Sequence, residues 1–235
     1  MSKEETASKF QSRYCVVVPA FEAAATIGDL VKRVRQQGLT VLVVDDGSKD
    51  RTGSIASEQG ALVLSHLKNR GKGNALRTAF NYALRAQFDG VITMDSDGQH
   101  LPEEIPKLIQ AGERQHAAIV LGNRMDQAQA MPSLRRQTNH LMSALISRVI
   151  RQKVPDSQCG FRIIRKEVLA ALTLRAERFE IESEVLLGAA KQKWKIISVP
   201  VTTVYRPDER SHIRPLRDAA RFMGILFKHA VQPCR

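Results

Sequence analysis

Residues Thr40–Thr52 read TVLVVDDGSKDRT. The opening TVLVV is a continuous apolar, β-branched run without a polar alternate. A strand of this kind has no face for water and must be covered on both sides. It ends in Asp45-Asp46-Gly47-Ser48, a run of turn formers. Gly90–His100, GVITMDSDGQH, repeats the plan: an apolar strand, Gly90–Met94, and then Asp95-Ser96-Asp97-Gly98. Working outward, Tyr14–Val18 (YCVVV) is a third such run, stopped by Pro19. Thr26–Gln37 has helical spacing, with Ile27, Leu30, Val31 and Val34 on one face. Arg51–Gln59 reads as a helix, Ala61–Ser65 as a strand, and Asn74–Ala86 as a helix after a glycine-rich turn. Pro102 suits a first helical turn, and that helix runs to about Gln115. Ala117–Leu121 is a further strand. Strands without a polar face, alternating with helices, predict an α/β fold: a mostly parallel central sheet with helices on both faces.

The second half has another character. Ser133–Ile150 reads as a long helix with Leu134, Leu141, Leu145 and Val149 as apolar anchors. The polar loop Pro155–Gly160 leads into Phe161–Ile164, and Glu182–Lys191 is helical. Lys195–Tyr205 (KIISVPVTTVY) reads as an edge strand because Pro200 interrupts it. Asp218–Val231 is a final amphipathic helix.

Composition excludes several classes. The chain has 235 residues, 43% of them apolar and 26% charged, which rules out wholesale disorder and is enough for a substantial core. Three cysteines, Cys15, Cys159 and Cys234, lie far apart, which excludes a disulfide scaffold or zinc finger and suits a reducing cytosol. The N-terminal MSKEETASKFQSR has no apolar segment of the secretory kind, and no run of about 18 apolar residues predicts a membrane span. Net charge is +12 and unevenly placed. Residues 1–130 carry 16 basic and 15 acidic side chains, whereas residues 131–235 carry 20 and 9. The excess implies an anionic partner for the second half: a phosphorylated substrate, an anionic membrane surface or nucleic acid. Nucleic acid is not expected, since neither a recognition helix nor an aromatic stacking platform is visible.

In open parallel sheets, ligands gather at the carboxyl ends of strands. Two of those ends are acidic here. Acidic turns are poor anion binders. They suit a divalent cation, or the hydroxyl and amide donors of a ribose or base. The Asp95-Ser96-Asp97 spacing puts two carboxylates on one short turn, as a hard Mg²⁺ or Mn²⁺ prefers, with Gln99 and His100 following at once. The turn Asn69-Arg70-Gly71-Lys72-Gly73-Asn74 offers backbone amides and Lys72 to a phosphate. It matches neither common nucleotide-loop pattern, and taken alone it reads as a plain turn and helix start. Arg124, after a strand end, and Arg162, Arg206, Arg210, Arg214 and Arg217 can bind phosphate bidentately; the alternative is a solvated basic surface, which is the reading for Arg210 and Arg217. Glu180, Glu182 and Glu184 fit helix N-terminal acids, with a general base as the alternative.

These segments, in this order, resemble family 2 glycosyltransferases of the GT-A fold, and within them the polyprenyl-phosphate sugar synthases of the dolichyl-phosphate mannose synthase kind. The motifs are VVVPAFEAAATI, VVDDGSKDRT, NRGKGNALRTAF, MDSDGQH, GNR, DSQCGFRIIRKEVL, FEIESEVLL and VPVTTVYRPDERS, spread from about Tyr14 to about Phe222. The resemblance implies a polar tail over 1–12, one catalytic domain over 13–213, and a C-terminal amphipathic helix over 214–235. Within the domain, 13–122 would be the nucleotide half and 123–213 the acceptor half. It implies a nucleoside diphosphate sugar donor, with Pro19, Phe21, Val44 and Asp46 at base and ribose. Glu22 would stand in for a missing glutamate and Lys72 would face the phosphates. Asp95, Ser96 and Asp97 would reach the diphosphate, and Asp95, Asp97 and Gln99 the metal. Arg124 and Arg206 would grip donor and acceptor phosphates, with Ser211 and His212 beside them. The family's usual Asn-Glu is Glu22-Ala23 here, and its Ser-Lys is Ser211-His212, a titratable group for a permanent charge. Fused membrane helices, common in the family, are not seen.

A lipid-phosphate acceptor is mostly dianionic at neutral pH, its second pKa being about 6, so transfer needs no strong base. The resemblance therefore implies in-line attack with inversion, at the cytoplasmic face of a membrane reached peripherally. Two rival readings are a transferase acting on a sugar hydroxyl, which needs a base such as Asp156, Glu180 or Glu182, and a nucleotidyltransferase. The latter lacks its glycine-rich N-terminal loop, because PAFEAAATI stands in that place.

Overall fold

The computed structural model describes residues 13–126 and 131–204, with Gly224 beyond them. The expected tail, the helix Asp218–Val231, and Arg206, Arg210, Ser211, His212, Arg214 and Arg217 lie outside the described residues. Seven strands form one sheet: β1 (Tyr14–Ala20), β2 (Thr40–Asp45), β3 (Leu62–Ser65), β4 (Gly90–Thr93), β5 (Ile119–Asn123), β6 (Arg162–Arg165) and β7 (Ile196–Pro200). The helices are α1 (Ile27–Arg35), α2 (Thr52–Glu58), α3 (Lys72–Arg85), α4 (Ile105–Gln115), α5 (Ser133–Ile150), α6 (Lys166–Ala171) and α7 (Ile181–Lys191). A short 3-10 turn, Pro102–Glu104, leads into α4.

The strand order is β3-β2-β1-β4-β6-β5-β7. Neighbours are parallel except around β6, which runs antiparallel to both β4 and β5. The two halves of the chain therefore share one sheet, since β6, from the second half, lies between two strands of the first. As the unalternating strands require, both faces are covered. Leu42 and Val44 of β2 join a core with α3, α5, α6 and α7. Val41 and Val43 join another with α1, α2 and α4. The four apolar residues of α1, spaced to share one helix face, are all buried.

Three expectations change. β1 continues through Pro19 to Ala20, because β4 pairs with β1 only as far as Val17 and Pro19 has no ladder to break on that side. β7, an edge strand as expected, stops at Pro200. α5 has the expected ends, and Leu145 packs on the core as expected, but the other three apolar anchors face outward. Leu134 and Leu141 are 70% and 63% exposed and Val149 is exposed, while Asn139, Ser143, Ile146 and Ile150 face inward. The cause is the loop below it. Ser157 N–H donates to Ser143 Oγ (2.9 Å) and Val154 N–H to Ser147 Oγ (2.9 Å). Buried backbone donors need partners, and the serine face supplies them.

Candidate active site

From β1 the chain proceeds to β2 and β3 on one side, whereas β4 lies on the other. The carboxyl ends of β1 and β4 thus border a topological switch point, where open α/β sheets bind ligands. Short hydrogen bonds draw the loops there together. Glu22 N–H donates to Ser48 Oγ (2.9 Å), Ala23 N–H to Thr52 Oγ1 (2.7 Å) and Ala24 N–H to Asp50 Oδ2 (3.1 Å). Thr26 Oγ1 donates to the Ser96 carbonyl (2.6 Å), tying the start of α1 to the Asp95–Asp97 turn. Phe21 and Glu22 are exposed at this rim, and Glu22 has φ +50°. Val44 is fully buried in the core.

Asp46 is buried at the end of β2. Its carboxylate accepts from Arg70 N–H (3.0 and 3.1 Å) and Gly71 N–H (2.7 Å), and it meets His66 Nδ1 at 2.6 Å. Of the two readings of the glycine-rich turn, the plain turn and helix start fits: Asp46 takes two of its amides, and Asn74 N–H goes to the Glu177 carbonyl. The glycines serve close packing. A Cβ on Gly71 (φ +94°) would meet the Glu177 carbonyl oxygen at 2.6 Å, and one on Gly73 the Ala176 carbonyl oxygen at 2.5 Å.

Lys72 does face the site. Its ammonium lies 2.5 Å from Asp95 Oδ1 and 2.7 Å from Glu182 Oε1, with the Phe179 ring 5.6 Å away. Burial opposes ionisation of Asp95. Lys72 above all, then His100 and Arg124, overcome that, and the carboxyl is pulled down to about 2. Lys72, whose burial is outweighed by Asp95 and Glu182, is held well above its ordinary value. A small, largely apolar pocket opens beside these charges, lined by Pro19, Leu76, Phe80, Met94, Ile181 and Val185 as well as by the triad itself. Gly160 closes against Asp95, whose carboxylate would collide with any Cβ there. Asp97 is partly exposed and accepts from Gln99 N–H (2.9 Å). His100 is buried against Phe161, its Nδ1 has no hydrogen-bond partner among the described residues, and desolvation pushes its pKa down to about 4. The segment after β7 crosses this turn. Val204 N–H donates to the Gln99 carbonyl and Thr202 N–H to Glu104 Oε2, each at 2.9 Å.

Arg124 is 4% exposed and bidentate to Asp156, with Nε and Nη2 donating at 2.7 and 2.9 Å. Burial works against the Asp156 charge, but Arg124 more than offsets it and the carboxyl is lowered. Arg162 is neither a surface charge nor a phosphate clamp. It is 2% exposed and donates to the carbonyls of Ser157, Cys159 and Glu182, each at 2.7 Å. Glu184 holds the Arg175 and Ala176 amides rather than serving only the helix end. Sequence reasoning missed the tying roles of Thr26, Thr52, His66 and Glu104. The chemical signal was present only in Thr26 and Thr52, hydroxyls at helix starts.

A sheet of this order, with an Asp-x-Asp turn at the switch point, defines a GT-A type α/β fold. A solved structure of glucosyl-3-phosphoglycerate synthase from Mycobacterium tuberculosis, in complex with Mn²⁺, uridine diphosphate and phosphoglyceric acid, superimposes with a TM-score of 0.76 at 21% identity, over 97% of this chain and 81% of that one. The chain belongs to glycosyl transferase family 2, whose pattern matches residues 15–173, and it is a glycosyltransferase. It is 30% identical over 213 residues to a UDP-N-acetylglucosamine–dolichyl-phosphate N-acetylglucosaminyltransferase of Methanococcus voltae, covering 81% of this chain and 85% of the relative. It is 28% identical over 207 residues to an undecaprenyl-phosphate mannosyltransferase of Micrococcus luteus, covering 83% and 84%.

Proposed function

We propose that the enzyme transfers a hexose from a nucleoside diphosphate sugar, of the GDP-mannose or UDP-hexose kind, to a polyprenyl phosphate at a membrane surface. The observation that carries the reading is the all-oxygen turn of Asp95, Asp97 and Gln99 at the switch point, in a chain whose relatives are polyprenyl-phosphate sugar transferases. Two carboxylates and an amide oxygen suit Mg²⁺ or Mn²⁺ and leave coordination positions to substrate oxygens. Bound there, such an ion would neutralise charge on the departing nucleoside diphosphate. Pro19, Phe21 and Glu22 line the base and ribose side, Val44 supports it from the core beneath, and Asp46 acts through the loop it holds. Lys72, Ser96 and Asp97 border the diphosphate. Arg206, Ser211 and His212 serve the acceptor phosphate, and Arg124, buried on Asp156, acts there only through the Asp156 loop it holds. No base is asked of the protein. Of the three carboxylates a hydroxyl acceptor would call on, Asp156 is taken by Arg124 and Glu182 by Lys72 and Arg162, which leaves Glu180 at the start of α7. That favours an acceptor bringing its own negative charge.

The outward stripe Leu134, Leu141, Val149 of α5, flanked by Arg148 and Arg151, supports peripheral contact with an anionic leaflet. No helix among the described residues is long and apolar enough to cross a membrane. The test is a reaction with labelled donor, Mn²⁺ and polyprenyl phosphate. A lipid-phosphate sugar with inverted anomeric configuration and a released nucleoside diphosphate are expected. Pyrophosphate release, a retained configuration, or transfer to water-soluble hydroxyls alone overturns the reading. Flotation with anionic liposomes tests the surface, and salt-insensitive absence of binding removes it.

A further inference from the structure

The ammonium of Lys72 sits on a carboxylate that the proposed cation also needs. Lys72 Nζ is shared between Asp95 Oδ1 (2.5 Å) and Glu182 Oε1 (2.7 Å). Glu182 is fixed independently: Arg162 donates to its carbonyl at 2.7 Å and stands 3.5 Å from its carboxylate. The Asp95 carboxylate occupies the space that a Cβ on Gly160 would fill, so the glycine leaves room for it on the Lys72 side of the turn. The lysine therefore has two seats, one on the metal-type turn and one on α7, and the second survives if the first is lost.

We propose that Lys72 is a resident counter-cation that occupies Asp95 until a divalent ion arrives and then rests on Glu182 alone. It is a positioning residue, and Glu182 acts on the cation only through it. The proposal deepens the metal reading given above and rests on it. Charge is conserved locally: before loading, one ammonium serves two carboxylates; afterwards Asp95 faces the ion and Glu182 keeps the ammonium. Loading is disfavoured while the site is empty of donor, because the incoming ion must displace a buried positive charge. Binding of an anionic diphosphate next to Lys72 would relieve that cost, which couples the two ligands, and the coupling is reciprocal.

The experiment measures Mn²⁺ affinity of the full chain without nucleotide, by the electron spin resonance of unbound Mn²⁺, in wild type, Lys72→Met, Glu182→Gln and the double variant. Lys72→Met is expected to bind Mn²⁺ about tenfold more tightly, the scale of one pKa unit of differential interaction. A gain of affinity cannot come from misfolding. Glu182→Gln is expected to bind several-fold more weakly while Lys72 is present. In the Lys72→Met background the same change should alter affinity less than about twofold, since neighbours acting through one group are non-additive. Equal weakening by Glu182→Gln in both backgrounds means a plain through-space field and overturns the proposal, as does a Lys72→Met affinity no tighter than wild type. If wild type binds no Mn²⁺ even with a nucleoside diphosphate, the metal reading fails and the inference falls with it. Binding by wild type with an unchanged Lys72→Met removes the inference alone.

Discussion

The two halves of the molecule use charge in opposite ways. In residues 13–123 the deciding carboxylates stand at strand ends, with Asp95 and Asp97 partly exposed at the switch point. In residues 124–204 the notable charges are inside: Arg124, Asp156, Arg162 and Glu182 are all buried and joined to one another or to backbone carbonyls. The difference qualifies what net charge can say. The basic excess of the second half points to an anionic partner only through the cations left at its surface. Arg162 and Arg124 count toward the total while serving the interior.

The comparison breaks most visibly at Asp156. Asp156→Asn leaves Arg124 buried and short of its counter-charge, and should destabilise the fold by about 3–5 kcal/mol in chemical denaturation. A loss under about 1 kcal/mol would mean that the pair is solvated and the two halves alike. Next comes Asp97, which stands for the first half. Asp97→Asn should lower the turnover number about 10²–10³-fold, the scale of losing one preorganised electrostatic group, with stability near wild type. Retained turnover in chelator-treated buffer would remove the carboxylate turn from the chemistry.

A smaller effect is expected from His100, where the halves meet on Phe161. Burial lowers its pKa to about 4; Asp95 and Asp156 oppose that, while Arg124 and Lys72 reinforce it. The unfolded chain binds the proton first as pH falls through about 6.5. Its contribution to stability is therefore complete above about pH 6.5 and lost as pH falls to about 4, by up to roughly 3 kcal/mol. Denaturation across that range should show the slope in wild type and a shallower one in His100→Gln; parallel slopes refute the assignment. Least of all, Glu22→Asn should raise the melting temperature by a few degrees or less, on the order of 0.5 kcal/mol, because asparagine tolerates the left-handed backbone that Glu22 adopts. A lowered melting temperature would mean that the glutamate side chain itself secures the rim.

The parallel strands and their helices were legible because a buried strand has no polar alternate and a helix face repeats every three or four residues. The Asp95–Asp97 turn was legible because turn chemistry and strand end coincide within a few residues. α5 was misread in part from the same periodicity, Leu145 packing inward while Leu134, Leu141 and Val149 do not. Its leucines mark an apolar stripe, but nothing local says whether the protein or its surroundings cover it, and the loop at Val154–Ser157 claimed the serine face. Pro19 was misread as a strand end because whether a proline breaks a ladder depends on where the neighbouring strand stops. At the glycine-rich turn the sequence left a phosphate loop open beside a plain turn, because the amides are satisfied by Asp46 and by Glu177, the latter more than a hundred residues farther on.

What the amino-acid order determined by itself was the α/β class, the two acidic strand ends and the ordered motifs of a family 2 glycosyltransferase. All of these are encoded in contiguous residues, so short-range sterics and burial suffice. Only the tertiary structure decided which partner each charge would have. Lys72 meets Glu182, Arg124 meets Asp156, and antiparallel β6 enters between β4 and β5. Those pairings join residues distant in the chain, and the cost of burying a charge selects them only once the sheet has brought them within reach.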